Sequence, residues 1–149
     1  MKGEMKRVLF IILCSLFISE ALWAQGTPAT AAKARRQQMY MFGVAASMRD
    51  SVAYITDLQN IEAYVYANGF LADRSLYSLQ LNNFMVGKKN SENMTCAVFF
   101  SKSKSKAEKK FQKVRKKYRD KHNIFMEPLG KDVFRFVTEI PAEEKLRGE

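Results

Sequence analysis

The stretch MYMFGVAA at residues 39–46 has apolar side chains at both of its alternating positions. In an extended chain successive side chains point to opposite faces, so the stretch divides into two apolar sets. One set is Tyr40, Phe42 and Val44, and the other is Met39, Met41 and Gly43. This pattern predicts a β-strand that is buried on both faces.

A second alternating run, VAYITDL at residues 52–58, follows the turn-forming residues 47–51. Two strands joined by so short a connection predict a β-hairpin. Beyond the hairpin, residues 60–69 fit either an extension of the second strand or a short helix. Asn68 and Gly69 end the segment in both cases.

Two helices are predicted further along the chain. Asp73 is the expected N-cap of a helix over residues 74–86, in which Tyr77 and Phe84 share one face. The clearest helix covers residues 103–121, because apolar side chains recur along it at the spacing of a single face. These side chains are Ala107, Phe111, Val114 and Tyr118.

Three more strands complete the predicted fold. They cover residues 94–101, 123–127 and 133–140, with a turn at 128–132. The order β-β-α-β-α-β-β predicts a single α+β domain over residues 39–140. We expect a mostly antiparallel sheet of four to five strands, with both helices packed on one face. A ferredoxin-like topology is the alternative, with residues 94–127 as one of its β-α-β units.

The first 24 residues have the organisation of a secretory signal peptide. A basic segment at residues 1–7 precedes the apolar run VLFIILCSLFI at 8–18. Glu20 interrupts the apolar run well short of the roughly 20 residues that a spanning helix needs. Cleavage is expected after Ala24, with Ala21 as the alternative. We therefore predict export to the periplasm or the medium, with no transmembrane segment in the mature chain.

The segments on either side of the predicted domain differ from it in composition. Residues 25–38 are small and polar and predict a flexible leader, and residues 141–149 predict a charged tail. Cleavage would remove Cys14, which leaves Cys96 as the single thiol and rules out an internal disulfide. A chain of 149 residues suits one domain, which must then be stabilised by burial of apolar side chains.

The sequence offers little for catalysis. His122 is its only histidine and follows the basic helix, where an exposed position near the end of the helix is expected. Cys96 lies inside an apolar strand, as a small core residue does. The seven glycines form no phosphate-binding loop, and one His with two Cys does not build a zinc or iron–sulfur site. We expect no enzyme activity, no cofactor and no metal. Ser51, in Asp50-Ser51-Val52, matches a short O-glycosylation pattern.

Positive charge is concentrated in one segment. Residues 102–121 contain 11 Lys or Arg and only two acidic residues, Glu108 and Asp120, while the rest of the predicted mature chain is balanced. On a helix, five of the lysines fall within about 100° of arc, opposite the apolar stripe. These candidate anion-binding residues are Lys106, Lys109, Lys113, Lys116 and Lys117.

Four stretches of the chain resemble small exported proteins of Bacteroidota. The stretches are FGVAASMRDSVAYITDLQ at 42–59, DRSLYSLQL at 73–81, TCAVFF at 95–100 and KAEKKFQKVRKKY at 106–118. The resemblance spans most of the predicted domain and concerns structural rather than catalytic residues. It implies a Gram-negative envelope context and no particular activity.

These features lead to two functional expectations. The first is an exported, non-enzymatic binding or interaction module of the cell envelope. The alternative gives the active role to helix 103–121, which would bind an anionic envelope polymer or an acidic protein. A helix that uses lysine only for solubility is the competing interpretation. The lysine-rich face has few Arg and no interleaved aromatic residues, so sequence-specific nucleic-acid binding is not expected.

Overall fold

The computed structural model describes residues 33–47, 49, 51–89 and 93–146. The predicted signal peptide and most of the predicted leader lie outside these ranges. The described elements are, in chain order, β1 (Arg35–Ala46), β2 (Val52–Thr56), β3 (Gln59–Val65), α1 (Arg74–Lys89), β4 (Thr95–Ser101), α2 (Lys104–His122), β5 (Phe125–Leu129) and α3 (Ala142–Lys145). The predicted α+β class, with a five-stranded and mostly antiparallel sheet, is confirmed.

Strand β1 is the centre of the sheet. It pairs antiparallel with β2 and β3 along one edge and with β4 along the other, and β5 joins the sheet by parallel pairing with β2. The predicted hairpin is therefore present, and the ambiguous segment after it continues as a strand. β1 begins at Arg35, inside the predicted leader, because β3 provides a ladder for these residues as far as Val65.

A one-residue change of register separates β2 from β3. Val44 pairs with Ile55, whereas Met41 pairs with Gln59, so the β2–β3 side has one extra residue between these two pairs. Such an extra residue is a β-bulge, which leaves a backbone group of the facing strand without its ladder partner. The Thr56 hydroxyl accepts a hydrogen bond of 2.9 Å from the Gly43 N–H and satisfies that group.

The two long helices lie on opposite faces of the sheet. Met39, Met41 and Ala45 of β1 form one core cluster, which includes buried side chains of α1. Phe42 and Val44 form a second cluster, against which side chains of α2 pack. The prediction that both helices pack on one face is therefore wrong. A strand that is apolar on both faces needs a covering layer on each.

The connections between strands explain this arrangement. The β3–α1–β4 connection crosses β1 in one direction, and the β4–α2–β5 connection returns across β1 and β2 in the other. Both connections join parallel strands, and crossovers of this kind are right-handed in nearly all proteins. Two right-handed crossovers that run in opposite directions place their helices on opposite faces. The ferredoxin-like alternative, with both helices on one face, is therefore also wrong.

Glycine at position 43 lets α1 approach the sheet closely. A Cβ atom at this position would lie 2.7 Å from Leu81 Cδ2 and 3.0 Å from the ring of Phe136. Leu81 is fully buried in the α1 cluster, so it has little room to move away.

α1 itself extends three residues beyond the predicted Val86. Asp73 adopts a left-handed φ of 48°, not the extended backbone of an N-cap, so that part of the prediction is wrong.

The predicted strand over 133–140 is wrong, because residues 134–140 have no regular secondary structure and are not part of the described sheet. Side-chain amides replace the ladder. Gln59 donates to the Phe134 carbonyl and accepts from the Phe136 N–H, both at 3.0 Å. Gln80 makes the same pair of bonds with the carbonyl and N–H of Val137, both at 2.9 Å. The segment is thereby held against β3 and α1.

Replacement of Gln59 by leucine should destabilise the fold more than the same replacement of Gln80. Gln59 is 4% exposed and both of its bonds are buried, so Gln59→Leu leaves a carbonyl and an N–H without partners. We expect a loss of about 2–4 kcal/mol in the free energy of unfolding. The Gln80 bonds to Val137 are exposed and its bond to Glu139 is only partly buried, so water can replace them and Gln80→Leu should cost less than about 1 kcal/mol. Urea unfolding of both variants measures the difference, and equal losses would contradict the assigned role of Gln59.

Candidate anion-binding surface on helix α2

Capping residues define both ends of α2. Ser103 has the extended backbone of an N-cap, with φ −98° and ψ 125°, and its side chain accepts a hydrogen bond from the Lys106 N–H. At the other end Asn123 adopts a left-handed φ of 50°, and its N–H donates to the Tyr118 carbonyl. The predicted helix over 103–121 is therefore confirmed, displaced by a single residue.

Aromatic contacts hold α2 on the sheet. The ring of Phe42 stacks on that of Phe99, with centroids 5.0 Å apart, and meets Phe111 of α2 edge-on at 5.1 Å. Val114 and Tyr118 pack against the same cluster, and Ala107 is buried. The apolar stripe predicted from the sequence is thus the contact between α2 and the sheet. The opposite side of the helix is left to solvent.

All five predicted anion-binding lysines lie on α2 and are exposed. We call this set the lysine face: Lys106, Lys109, Lys113, Lys116 and Lys117. The other six basic residues of the segment are exposed as well. A helix rises 1.5 Å per residue, so the lysine face extends over about 16 Å. It therefore presents a continuous row of positive charge rather than one localised site.

Few of these cations have an acidic partner within the described part of the chain. Lys104 lies 3.8 Å from Glu108, and Arg119 donates to Asp120 at 2.8 Å. The hydrogen bond from Arg119 lowers the pKa of the Asp120 carboxyl. No carboxylate of the described residues lies within 4.0 Å of a lysine-face amine. The charge of the lysine face therefore remains available to an external anion.

Two cavities lie at the ends of α2. The first, of about 510 Å³, lies beside the last turns of the helix and includes Lys117 and His122 in its lining. The second, of about 460 Å³, lies at the start of the helix and includes Lys102 and Lys106. Both are bounded by residues from separate strands and loops, so no local pattern could have predicted them. The lysine face thus runs from one cavity to the other.

The two remaining candidates for chemistry lie apart from each other. Cys96 belongs to the cluster beneath α1, and burial raises the pKa of its thiol to about 11. His122 is exposed in the last turn of α2, on the opposite face of the sheet, with its ring 5.8 Å from that of Tyr118. A thiol needs a lowered pKa or a neighbouring base to act as a nucleophile. Among the described residues Cys96 has no neighbouring base, and its pKa is raised rather than lowered.

The described ranges contain neither a candidate metal cluster nor a candidate membrane span. Within these ranges no three His, Cys, Asp or Glu side chains come together in a way that could hold a metal ion. None of the helices there has the length and apolar composition that crossing a bilayer requires. Ser51 is exposed, and its carbonyl accepts a hydrogen bond from the Phe125 N–H.

Comparison with protein-family models, with curated proteins and with solved structures gave no match for this chain. Function must therefore be argued from the side chains that the fold brings together. On the described surface, the strongest concentration of like charge is the lysine face of α2.

Cys96 should react slowly with thiol reagents in the native protein. A thiol with a pKa of about 11 is almost fully protonated at neutral pH, and only the thiolate reacts. In a Cys14→Ser chain, where Cys96 is the only thiol, we expect labelling by dithiobis(nitrobenzoate) to be at least about a hundredfold slower than in urea. The native rate should rise with pH up to about 11, because the thiolate fraction rises. Rapid native labelling at neutral pH would instead identify a reactive cysteine.

Proposed function

We propose that this protein is an exported, non-enzymatic binding module that attaches to an anionic polymer of the cell envelope through the lysine face. The observation that carries the proposal is the exposure of five lysines on one helix, with no described carboxylate in contact with their amines. Solubility alone needs charges of either sign spread over the surface. In this protein the excess charge is positive and is concentrated on helix α2.

The residues of the lysine face suit an extended anion better than a single ligand. Lysine is a compact point charge on a flexible stem and does not impose the planar, paired geometry that arginine does. A row of such charges over about 16 Å interacts with many phosphate or carboxylate groups at once. We therefore favour a flexible polymer whose negative groups repeat along its length.

The buried stripe of α2 restricts how the helix meets its partner. Phe111 and Tyr118 belong to the contact with the sheet, so they are not free to insert into lipid or to stack on bases. The interaction that remains is electrostatic contact through the lysine face. It should be sensitive to salt and insensitive to the sequence of the polymer.

Export rests on the sequence of residues 1–24, which lie outside the described ranges. The basic segment and the short apolar run are typical of a signal peptide, and the resemblance to exported proteins of Bacteroidota supports the same context. The absence of enzyme activity is likewise a proposal. It is supported by the raised pKa of Cys96 and by the separation of that thiol from His122.

Charge reversal on α2 should abolish polymer binding. We predict that Lys109→Glu, Lys113→Glu, Lys116→Glu and Lys117→Glu together weaken binding to long-chain polyphosphate at least a hundredfold at low salt, because each lysine near an anionic surface contributes about 1 kcal/mol. The native protein should lose about a hundredfold in affinity between 50 and 200 mM salt, as expected for about five neutralised charges. Fluorescence anisotropy of labelled polyphosphate measures both effects.

A variant with the same change in net charge serves as the control. It carries Arg35→Glu, Lys88→Glu, Lys131→Glu and Lys145→Glu, at exposed positions away from α2. This control should keep most of the affinity. Equal loss in both variants would indicate attraction by net charge alone, and binding that survives reversal on α2 would contradict the proposal. Binding to polyglutamate but not to polyphosphate would favour an acidic protein as the partner.

Expression in a Gram-negative host should yield a shortened, exported chain. We predict an N-terminus at Gln25, or at Leu22 if cleavage follows Ala21, since a signal peptidase removes the segment before a small-residue site. Intact-mass measurement of the periplasmic and medium fractions identifies the N-terminus. Leu13→Arg, which places a charge inside the apolar run, should block processing. A full-length chain that stays in the cytoplasm would contradict export.

A further inference from the structure

The cavity beside the last turns of α2 combines an apolar wall with polar groups. Ala46 at the end of β1, the Tyr118 side chain and Ile124 contribute apolar surface. The polar residues of its described lining are Ser47, Thr95, Lys117 and His122. Small-molecule sites typically enclose about 300–1,000 Å³ and set a few polar groups in an apolar lining. This cavity is open to solvent, its volume of about 510 Å³ lies in that range, and its lining mixes apolar and polar residues.

The charge of the cavity favours an anion. None of its described lining residues is acidic, and one of them is the basic residue Lys117. A helix C-terminus carries partial negative charge, which would oppose an anion. At the end of α2 the Asn123 and Ile124 N–H groups both donate to the Tyr118 carbonyl, which offsets the negative charge at that one carbonyl. Lys121, also in the last turn, adds positive charge, whereas Arg119 is paired with Asp120.

The number of charges points to a monoanion. Lys117 is the one lysine or arginine among the lining residues described, so a singly charged carboxylate would be neutralised where a doubly charged phosphate would not. Thr95 and His122 can supply further hydrogen bonds to carboxylate oxygens. An alkyl or aryl body would then cover Ala46 and Ile124. We infer that this cavity binds a small carboxylic acid with an alkyl or aryl body, a function that differs from polymer binding although Lys117 belongs to both surfaces.

The probe for this inference is octanoate, with octanol as its uncharged counterpart. Titration of the purified protein, followed by NMR of methyl groups, should shift the signals of Ala46 and Ile124 and reach saturation. Octanol should bind roughly tenfold more weakly, because it lacks the charge-assisted hydrogen bonds. Shifts confined to exposed apolar residues elsewhere, such as Leu79 and Val137, would overturn the inference.

Two variants separate the cavity from general attraction to α2. Lys117→Gln removes the lining charge and should weaken octanoate binding roughly tenfold, with little effect on octanol. Lys110→Gln makes the same charge change on α2, outside both the lysine face and the described lining, and should leave octanoate binding unchanged. Equal loss in both variants would overturn the site. Ala46→Phe should fill the cavity and weaken the binding of both octanoate and octanol. If Ala46→Phe fails to fold, the comparison with Lys117→Gln still tests the site.

Failure of this site and failure of polymer binding give different results. Reversal of Lys106, Lys109, Lys113 and Lys116 leaves the cavity lining intact, so octanoate should still bind where polyphosphate does not. Ala46→Phe should have the opposite effect, because Ala46 is not part of the lysine face. If octanoate binding followed polyphosphate binding through all of these variants, the cavity would not be a separate site.

Discussion

Burial of β1 on both faces is the constraint on which the rest of the structure depends. Its alternating side chains enter two different core clusters, one beneath α1 and one beneath α2. β2, β3 and β4 all form hydrogen-bonded ladders with β1, and β5 is attached to it through β2. Small residues matter here as much as large ones. Gly43 lets Leu81 and Phe136 approach the strand closely, and Thr56 satisfies the Gly43 N–H opposite the bulge.

The same constraint explains how a highly basic helix can be part of a stable fold. Side chains on α2 divide into a stripe that packs on Phe42 and Phe99 and a surface that carries all of its lysines. The aromatic contact, with its stacked and edge-on rings, offsets the mutual repulsion of the lysines. Binding of an anion would relieve that repulsion, so ligand binding and fold stability should be coupled. The apolar stripe is occupied by the core, which leaves electrostatic contact as the mode of interaction.

Two of the structural errors of prediction have definite physical origins. Both long helices were expected on one face, although the pattern of residues 39–46 already required cover on two. A strand pattern is local, whereas the face that each helix covers follows from the direction and handedness of the connections between strands. The segment at 133–140 alternates like a strand, yet it is held by the side-chain amides of Gln59 and Gln80. Those amides lie more than 50 residues away in sequence, so no local pattern indicates that they replace a ladder.

The sequence by itself determined the local features, because periodicity and charge act between neighbours along the chain. These features include the α+β class, the strand centred on Phe42, the span of α2 and the exposure of its lysines. The tertiary structure alone decided which face each helix covers, how β2 and β3 share one edge of β1, and where the cavities lie. Each of these depends on contacts between distant residues, such as Ala46 with Thr95 or Gln59 with Phe136. A charged row could therefore be predicted from residues 102–121, whereas the cavity that receives Lys117 and His122 exists only once β1, β4 and α2 have come together.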